Sequence, residues 1–218
     1  MIIGLLGAGK TGSKVLDLCK EEKIECHTFN TSNPITVEKL SVCDVLISFL
    51  PGPAFLECIP MITESKKPLV SGSTGIELPK DLRLSAPWII GHNFSLGMNL
   101  VHAMINMLKN TDKLFDEFQF NIHEIHHTKK LDAPSGTALK WQDWSGHQAT
   151  ITSERTGDVV GDHKLELEID SETISLQHIA HDRRIFAKGA LWAAKYLLSH
   201  KLDNNIHHFE EVATKELL

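Results

Sequence analysis

The chain opens on an apolar run, Met1-Ile-Ile-Gly-Leu-Leu6, that breaks into Gly7-Ala-Gly-Lys-Thr-Gly12 and continues as a helical pattern. Apolar Val15, Leu16, Leu18 and Cys19 alternate there with Lys14, Asp17, Lys20 and Glu21. Few folds accept a buried strand, a glycine turn and a helix in that order. The pattern predicts the first unit of a parallel dinucleotide-binding sheet. Gly7 permits the tight turn, Gly9 lets the backbone approach a pyrophosphate, and Gly12 lets helix and strand pack closely. The exposed amides of the helix start then favour an anion. Gly7, Ala8, Gly9, Lys10, Thr11 and Gly12 are therefore candidate cofactor residues. The same letters also satisfy G-x-x-x-x-G-K-[ST] from Gly4 to Thr11, the pattern of a P-loop hydrolase or kinase. That reading leaves only Met1–Ile3 as a strand, short against about 5–6 residues. In Asp44-Val-Leu-Ile-Ser-Phe49 the acid also stands at the wrong end for a Walker-B strand. A plain strand-to-helix turn is the bland alternative.

Further strands are expected at Ile24–Phe29, Val45–Leu50, Pro68–Val70 and Ile89-Ile90, with a helix over Ala54–Ser65. Three of them end in small or polar turns: Pro51-Gly-Pro53, Ser71-Gly-Ser-Thr-Gly75 and Gly91-His-Asn-Phe94. In a parallel sheet these ends share one edge, where the ligand crevice forms. The second strand is followed by Asn30-Thr-Ser-Asn33, with no acid for a ribose diol. Cofactor choice between NADPH and NADH stays open, and Lys10 tilts it toward NADPH.

From Ser95 the period becomes helical, with Met98, Val101, Ile105 and Leu108 on one stripe and Met104 and Met107 widening it as core. Phe118, Phe120 and Ile122 alternate with polar residues as a strand leading to His126. A short helix over Leu139–Ser145 carries Trp141 and Trp144. Leu165, Leu167 and Ile169 alternate with acids, Asp170–Thr173 turns, and Ile174–His181 returns, giving an antiparallel pair with one wet face. Helices are expected over Gly189–Leu198 and Ile206–Thr214. The predicted fold is α/β: a Rossmann dinucleotide-binding domain over 1–96, then an α+β domain with an open mixed sheet over 97–189. Helices from about 190 to 218 return to the first domain.

The densest chemistry lies in Glu124-Ile-His-His-Thr-Lys-Lys-Leu-Asp-Ala-Pro-Ser-Gly-Thr-Ala138. His126 and His127 are adjacent at a strand end, so their side chains diverge. Ser135-Gly136-Thr137 starts a helix whose free amides suit a carboxylate. With Lys130 nearby, an anion can be held beside an imidazole able to move a proton. His123, His126, His127 and Glu124 could suggest a metal. No HExxH spacing exists and the neighbouring lysines repel a dication, so none is expected. His178, His181, His207 and His208 read as surface or satisfied histidines. Lys plus Arg is 22 against 28 Asp plus Glu, a charge of −6, which disfavours nucleic-acid binding. Four cysteines, Cys19, Cys26, Cys43 and Cys58, form no CxxC pair and suit reduced thiols in a cytoplasmic protein. No basic leader opens the chain, and no apolar run nears the roughly 20 residues of a membrane span.

The central stretch is similar to the E-x-H-H-x-x-K-x-D-A-P-S-G-T-A signature of the dihydrodipicolinate (4-hydroxy-tetrahydrodipicolinate) reductases of lysine and diaminopimelate biosynthesis. Asn93-Phe-Ser-Leu-Gly-Met-Asn99 resembles that family's NFSxGVN, and Gly72-Ser-Thr-Gly75 its GTTG turn. Thr152–His163 and Phe186–Ala190 resemble further segments, in order. The resemblance implies a nicotinamide-dependent reductase of a cyclic imine dicarboxylate, assembled as a homotetramer through the second domain's sheet. It implies His126 as acid/base and Lys130 as proton donor, with His127, Ser135, Gly136 and Thr137 gripping a substrate carboxylate. Gly72, Ser73, Thr74, Gly91, His92, Asn93 and Phe94 would line the nicotinamide side; Asn30, read from its place after the second strand, is a neutral candidate for either a ribose hydroxyl or a phosphate. The first loop departs from the family's GRMG, reading Gly9-Lys-Thr-Gly12. A dinucleotide sensor without turnover is a third reading, which the intact His126, Lys130 and Ser135 set disfavours.

Overall fold

A computed structural model describes residues 1–216. They form two compact units: Met1–Leu96 with the segment from Arg183 onward, and Gly97–Asp182.

In the first unit the apolar runs become strands β1 (Ile2–Leu6), β2 (Glu25–Phe29), β3 (Val45–Ser48), β4 (Leu69–Ser71) and β5 (Trp88–Ile90). All pair in parallel, and the sheet is six-stranded, ordered β10-β5-β4-β3-β1-β2, where β10 is Ile206–His208. Helix α1 (Gly12–Glu21) follows β1, and α3 (Gly52–Ser65) follows β3; between them lies the short α2 (Val37–Ser41). Both faces of the sheet are covered, which is why its strands read as unbroken apolar runs. On one face Ile3, Leu5, Val45, Ile47, Val70 and Ile89 pack with Val15 and Leu18 of α1 and with the alanines of α6 (Arg184–Ser199). On the other, Leu6, Leu46, Leu69 and Trp88 pack with Phe55, Ile59 and Ile62 of α3.

Two expectations need correction here. Ile206–His208 is not the start of a helix. It extends the sheet in register with β5, and only then does α7 (Phe209–Lys215) begin. Three residues are too few to show a period. Helix α6 starts ahead of Gly189, which sits inside it. A side chain at Gly189 would put Cβ 1.7 Å from the Phe94 carbonyl oxygen, so this glycine serves close packing rather than a helix boundary. The return to the first unit thus begins at Arg183 rather than near 190.

The second unit holds a mixed four-stranded sheet, ordered β7-β6-β8-β9. Its strands are β6 (Phe118–His126), β7 (Ala149–Arg155), β8 (Gly161–Ile169) and β9 (Glu172–Ala180). β8 is antiparallel to β6 and β9, while β7 runs parallel to β6. β7 was not foreseen, because only Ala149 and Ile151 of its seven residues are apolar, too few to show the alternation that β6 and β8 carry. Helices α4 (Leu96–Met107) and α5 (Gly136–Ser145) close one face. Met98, Val101 and Ile105 meet Phe120, Ile122, Trp141, Leu165 and Leu167 there. Met104 and Met107 are 38% and 80% exposed, so the core stripe of α4 is narrower than the sequence suggests. A methionine's length lets it read as core from a position that faces solvent.

Candidate active site

The site of the second unit is an extension of its core ladder. Along β6 the residues on the packed face are Phe120, Ile122, Glu124 and His126, all buried. Along β8 the same face carries Ile169, Leu167, Leu165, His163 and Gly161. The register sets Glu124 opposite His163, and on β7 it sets Ser153 and Arg155 opposite Glu124 and His126. One sheet face is therefore apolar at one end and ionisable at the other. Gly161 leaves room for the imidazole, since a Cβ there would lie 3.3 Å from His126 Nε2.

Glu124 is the hub, with no exposed side-chain surface. Its Oε1 accepts from Arg155 Nη2 at 2.8 Å and from the Ser135 amide at 3.1 Å. Its Oε2 lies 2.5 Å from His126 Nδ1 and 3.9 Å from His163 Nε2. Burial raises the Glu124 carboxyl, but the hydrogen bonds from Arg155, Ser153 and Ser135 and the His126 charge outweigh it and bring it to about 2. Burial pushes His126 down, against the pull of Glu124. Burial and the neighbouring His126 push His163 down to about 4. Both imidazoles are thus neutral near pH 7. The contact with Glu124 orients the His126 ring and favours the Nδ1–H tautomer, which leaves Nε2 as the basic nitrogen.

The loop after β6 carries the cation. Lys130 Nζ donates to both oxygens of Asp132, at 2.7 and 2.8 Å. Lys130 and the backbone amide of Gly136 hold the Asp132 carboxyl below its usual range. Asp132 thus engages both the lysine and the start of α5, two groups that suit an anion. Ser135 caps α5, accepting from the Ala138 amide at 3.2 Å, and its hydroxyl lies 3.2 Å from His163 Nε2. Being buried and engaged, it braces the turn that Gly136 and Thr137 continue. His127 stands apart from this cluster, and its Nδ1 is buried with no hydrogen-bond partner among the described residues. His123 is on the opposite face, against Thr152 at 2.8 Å.

Arg155 and His163 were missed from sequence, although the parity of β8 back from Leu165 points to His163. Glu124, His126 and His163 bring ligand-type atoms within 4.8 Å of one another. The Arg155 guanidinium already compensates the carboxylate, and a divalent ion would have to sit beside it. The cluster suits proton handling better than metal binding.

In the first unit, Gly7 turns with φ +87 and donates to the Phe29 carbonyl at 3.1 Å. A Cβ at Gly12 would fall 1.9 Å from the Gly7 carbonyl oxygen, while one at Gly9 would meet nothing within 4 Å. Ala8, Gly9 and Lys10 are exposed and Thr11 precedes the first residue of α1. This loop fits a pyrophosphate at a helix start. The P-loop pattern fails, since Gly4 lies in the middle of β1 with Leu46 and Cys43 against it. Gly72 and Gly91 extend the β3–β4 and β4–β5 ladders by one hydrogen bond each. Ser73, Gly91 and His92 line a cavity of about 390 Å³ with Ser71, Phe55 and His208. Phe94 is buried against Phe49 and Phe209, and Asn93 accepts from the Ser95 amide at 2.9 Å. Thr74 lies in the turn after β4. After β2, Asn30 Oδ1 accepts from the Ser32 and Asn33 amides. Lys39 Nζ, also missed from sequence, reaches Asn33 Oδ1 at 2.8 Å and the Pro34 carbonyl at 3.1 Å.

A doubly wound parallel unit with a glycine turn, joined in one chain to a unit that concentrates imidazoles, a lysine and a helix start, is the build of a nicotinamide-dependent oxidoreductase. Residues 97–212 match the family model described as dihydrodipicolinate reductase, C-terminus. A 4-hydroxy-tetrahydrodipicolinate reductase of Wolbachia pipientis is 34% identical over 183 residues, covering 72% of this chain and 69% of the relative. One of Methanosarcina barkeri is 32% identical over 207 residues, covering 82% and 77%. The dipicolinate-bound dihydrodipicolinate reductase of Paenisporosarcina sp. TG-14 shares the fold at TM-score 0.75 and 17% identity, over 97% of this chain and 99% of that one. The chain belongs to the 4-hydroxy-tetrahydrodipicolinate reductase family and is an oxidoreductase. No helix among the described residues is long and apolar enough to cross a membrane.

The buried cluster sets an acid limit on stability. Unfolded histidines take up a proton near 6.5, whereas His163 resists until about 4. Below about pH 6.5 the unfolded chain therefore binds more protons, and folding weakens as pH falls toward 4. Glu124, held at about 2, has the same sign: its stabilisation is lost as pH falls below its unfolded value of roughly 4.3. A melting series from pH 7 to 5 should show a falling transition, and His163→Gln should flatten it. A flat wild-type series would refute the assignment of neutral buried imidazoles.

Proposed function

We propose that this chain reduces 4-hydroxy-tetrahydrodipicolinate to tetrahydrodipicolinate, with the 4-hydroxyl leaving as water, using a reduced nicotinamide, in lysine and diaminopimelate biosynthesis. The observation that carries the reading is the second unit's cluster: Lys130 beside the α5 start, braced by Glu124, His126 and Ser135. In this reading Lys130 releases its bond to Asp132, pairs with the substrate and donates the proton to the reduced ring. His126 serves as acid/base through Nε2. His127 and the Ser135–Thr137 turn hold a ring carboxylate, Ser135 by fixing the turn. A reduced nicotinamide supplies the hydride. The Gly7–Gly12 loop holds its pyrophosphate, and the turns at Gly72–Thr74 and Gly91–Phe94 hold the nicotinamide end.

NADPH is the preferred donor. An acid after β2 would favour a ribose diol; Asn30 stands there instead, its oxygen turned into its own loop, with Lys39 beside that loop and Lys10 in the glycine turn. The protein works in the cytoplasm as a homotetramer. The polar open face of the β7-β6-β8-β9 sheet, carrying Gln119, His123, Thr152 and Lys164, is the surface for that assembly.

The test is a coupled assay with enzymatically made substrate, following reduced-nicotinamide absorbance with NADPH and NADH side by side. Consumption with both, and a higher kcat/KM for NADPH, is expected. No consumption with either would overturn the activity; a preference for NADH would overturn the cofactor assignment alone.

A further inference from the structure

We propose that Arg155 is a positioning residue for the proton donor: its guanidinium fixes the Lys130 loop and the Glu124–His126 pair in one rigid piece. This rests on Lys130 being the proton donor.

Arg155 ends β7, opposite His126. Its Nη2 donates to Glu124 Oε1 at 2.8 Å and makes a short contact to the Asp132 carbonyl. Its Nε donates to the Lys130 carbonyl at 3.3 Å, and its Nη1 to the Glu154 carbonyl at 2.7 Å. One planar group therefore touches the hub carboxylate and the backbone on both sides of Leu131. Compensating the buried charge of Glu124 would require only the first of these bonds. Two of the others, to the Lys130 and Asp132 carbonyls, act on the loop, which needs them: Leu131 is 97% exposed and gives that segment no apolar anchor. The remaining backbone ties nearby are the Lys130 amide to the His127 carbonyl, at 3.0 Å, and the Thr128 amide to Gly157, at 3.3 Å. Neither reaches past Lys130 toward Asp132. The loop's far end is held by the Ser135 amide on Glu124, so without Arg155 the backbone between Lys130 and Asp132 would be free to wander between two fixed ends. Misplacing a catalytic group by about 1 Å costs on the order of 100-fold in rate.

The guanidinium is the side chain suited to this task, with five donors in a fixed plane. A lysine at 155 retains the charge beside Glu124 but cannot bond the carboxylate and both carbonyls from one plane.

The experiment compares wild type, Arg155→Lys, Arg155→Ala and Lys130→Ala in the NADPH assay, with melting curves for each. Arg155→Lys should melt near wild type, keep its KM for NADPH and lose about 100-fold in kcat. Arg155→Ala, if it folds, should regain about tenfold of its lost turnover when millimolar guanidinium chloride replaces sodium chloride at equal ionic strength, since free guanidinium re-forms the bonds that tether the loop. Wild-type kcat in a folded Arg155→Lys overturns the proposal. So does a folded Arg155→Ala indifferent to guanidinium while Lys130→Ala is inactive. Should Lys130→Ala itself remain active, the donor reading falls, and this role of Arg155 with it.

Discussion

Lys130→Ala is expected to lower kcat by about 10²–10⁴-fold, the contribution of a positioned general acid, while NADPH binds with unchanged affinity. The split follows from where the residue stands. Lys130 lies in the loop after β6, in the compact unit Gly97–Asp182, whereas the glycine turn belongs to the unit that starts at Met1. Removing its ammonium deletes a donor and a positive charge from the substrate side alone. Lys130→Arg sharpens the test: it keeps the charge but holds its proton above pH 12, so it should restore substrate affinity better than kcat. Steady-state kinetics together with a fluorescence titration of NADPH measures both halves. Equal loss of turnover and nucleotide binding in Lys130→Ala would remove it from the proton-donor role.

The largest effect on the fold is expected at Glu124. Glu124→Ala should destabilise the second unit by about 3–5 kcal/mol, the cost of leaving one member of a buried ion pair without its partner, and should abolish turnover as well. Three groups lose their acceptor at once: the Arg155 guanidinium, the Ser135 amide and the His126 imidazole. The first is a half-buried charge left without its counter-ion. The second is the residue that caps α5, so the helix start loosens. The third loses the contact that fixes its tautomer. Glu124→Gln separates these consequences, because its amide oxygen can still accept from Arg155 and Ser135 although no charge remains. Denaturant unfolding should place Glu124→Gln between wild type and Glu124→Ala, while its kcat falls close to that of the alanine variant. An alanine variant as stable as wild type would show that the cluster is not closed as described.

Much of the first unit was legible because glycine speaks plainly. Gly7 has to turn with positive φ, and Gly12 has no room for a side chain, so residue type and geometry are bound together. The α/β class followed from that turn and from strands buried on both faces. The second unit was harder. Its apolar alternation along β6 and β8 reads directly, but it was read only as far as the apolar letters lasted. The same parity continues through Glu124 and His126 on one strand and His163 on the other, so a polar residue in core phase was the available signal. Arg155 had a weaker one, since only Ala149 and Ile151 set the phase of β7. β7 pairs with β6 from a distant stretch of chain, and only the tertiary register sets Arg155 opposite His126. Met107 and Ile206–His208 were misread for opposite reasons. One looked like core by chemistry and faces solvent by phase; the other formed a strand too short to show any phase.

The pairing of Lys130 with Asp132 has a consequence for discrimination. Any incoming anion has to outbid a carboxylate that is covalently tethered and already bidentate on the lysine. Affinity at this position is then a difference between two carboxylates, and the tethered one sets a floor. A ligand with a single carboxylate trades one such bond for another and gains little. A ligand with two can displace Asp132 with one group while the second finds its own partner. If Lys130 takes a substrate carboxylate, as proposed, the loop would favour a dicarboxylate over a monocarboxylate without any contact made specifically against the latter.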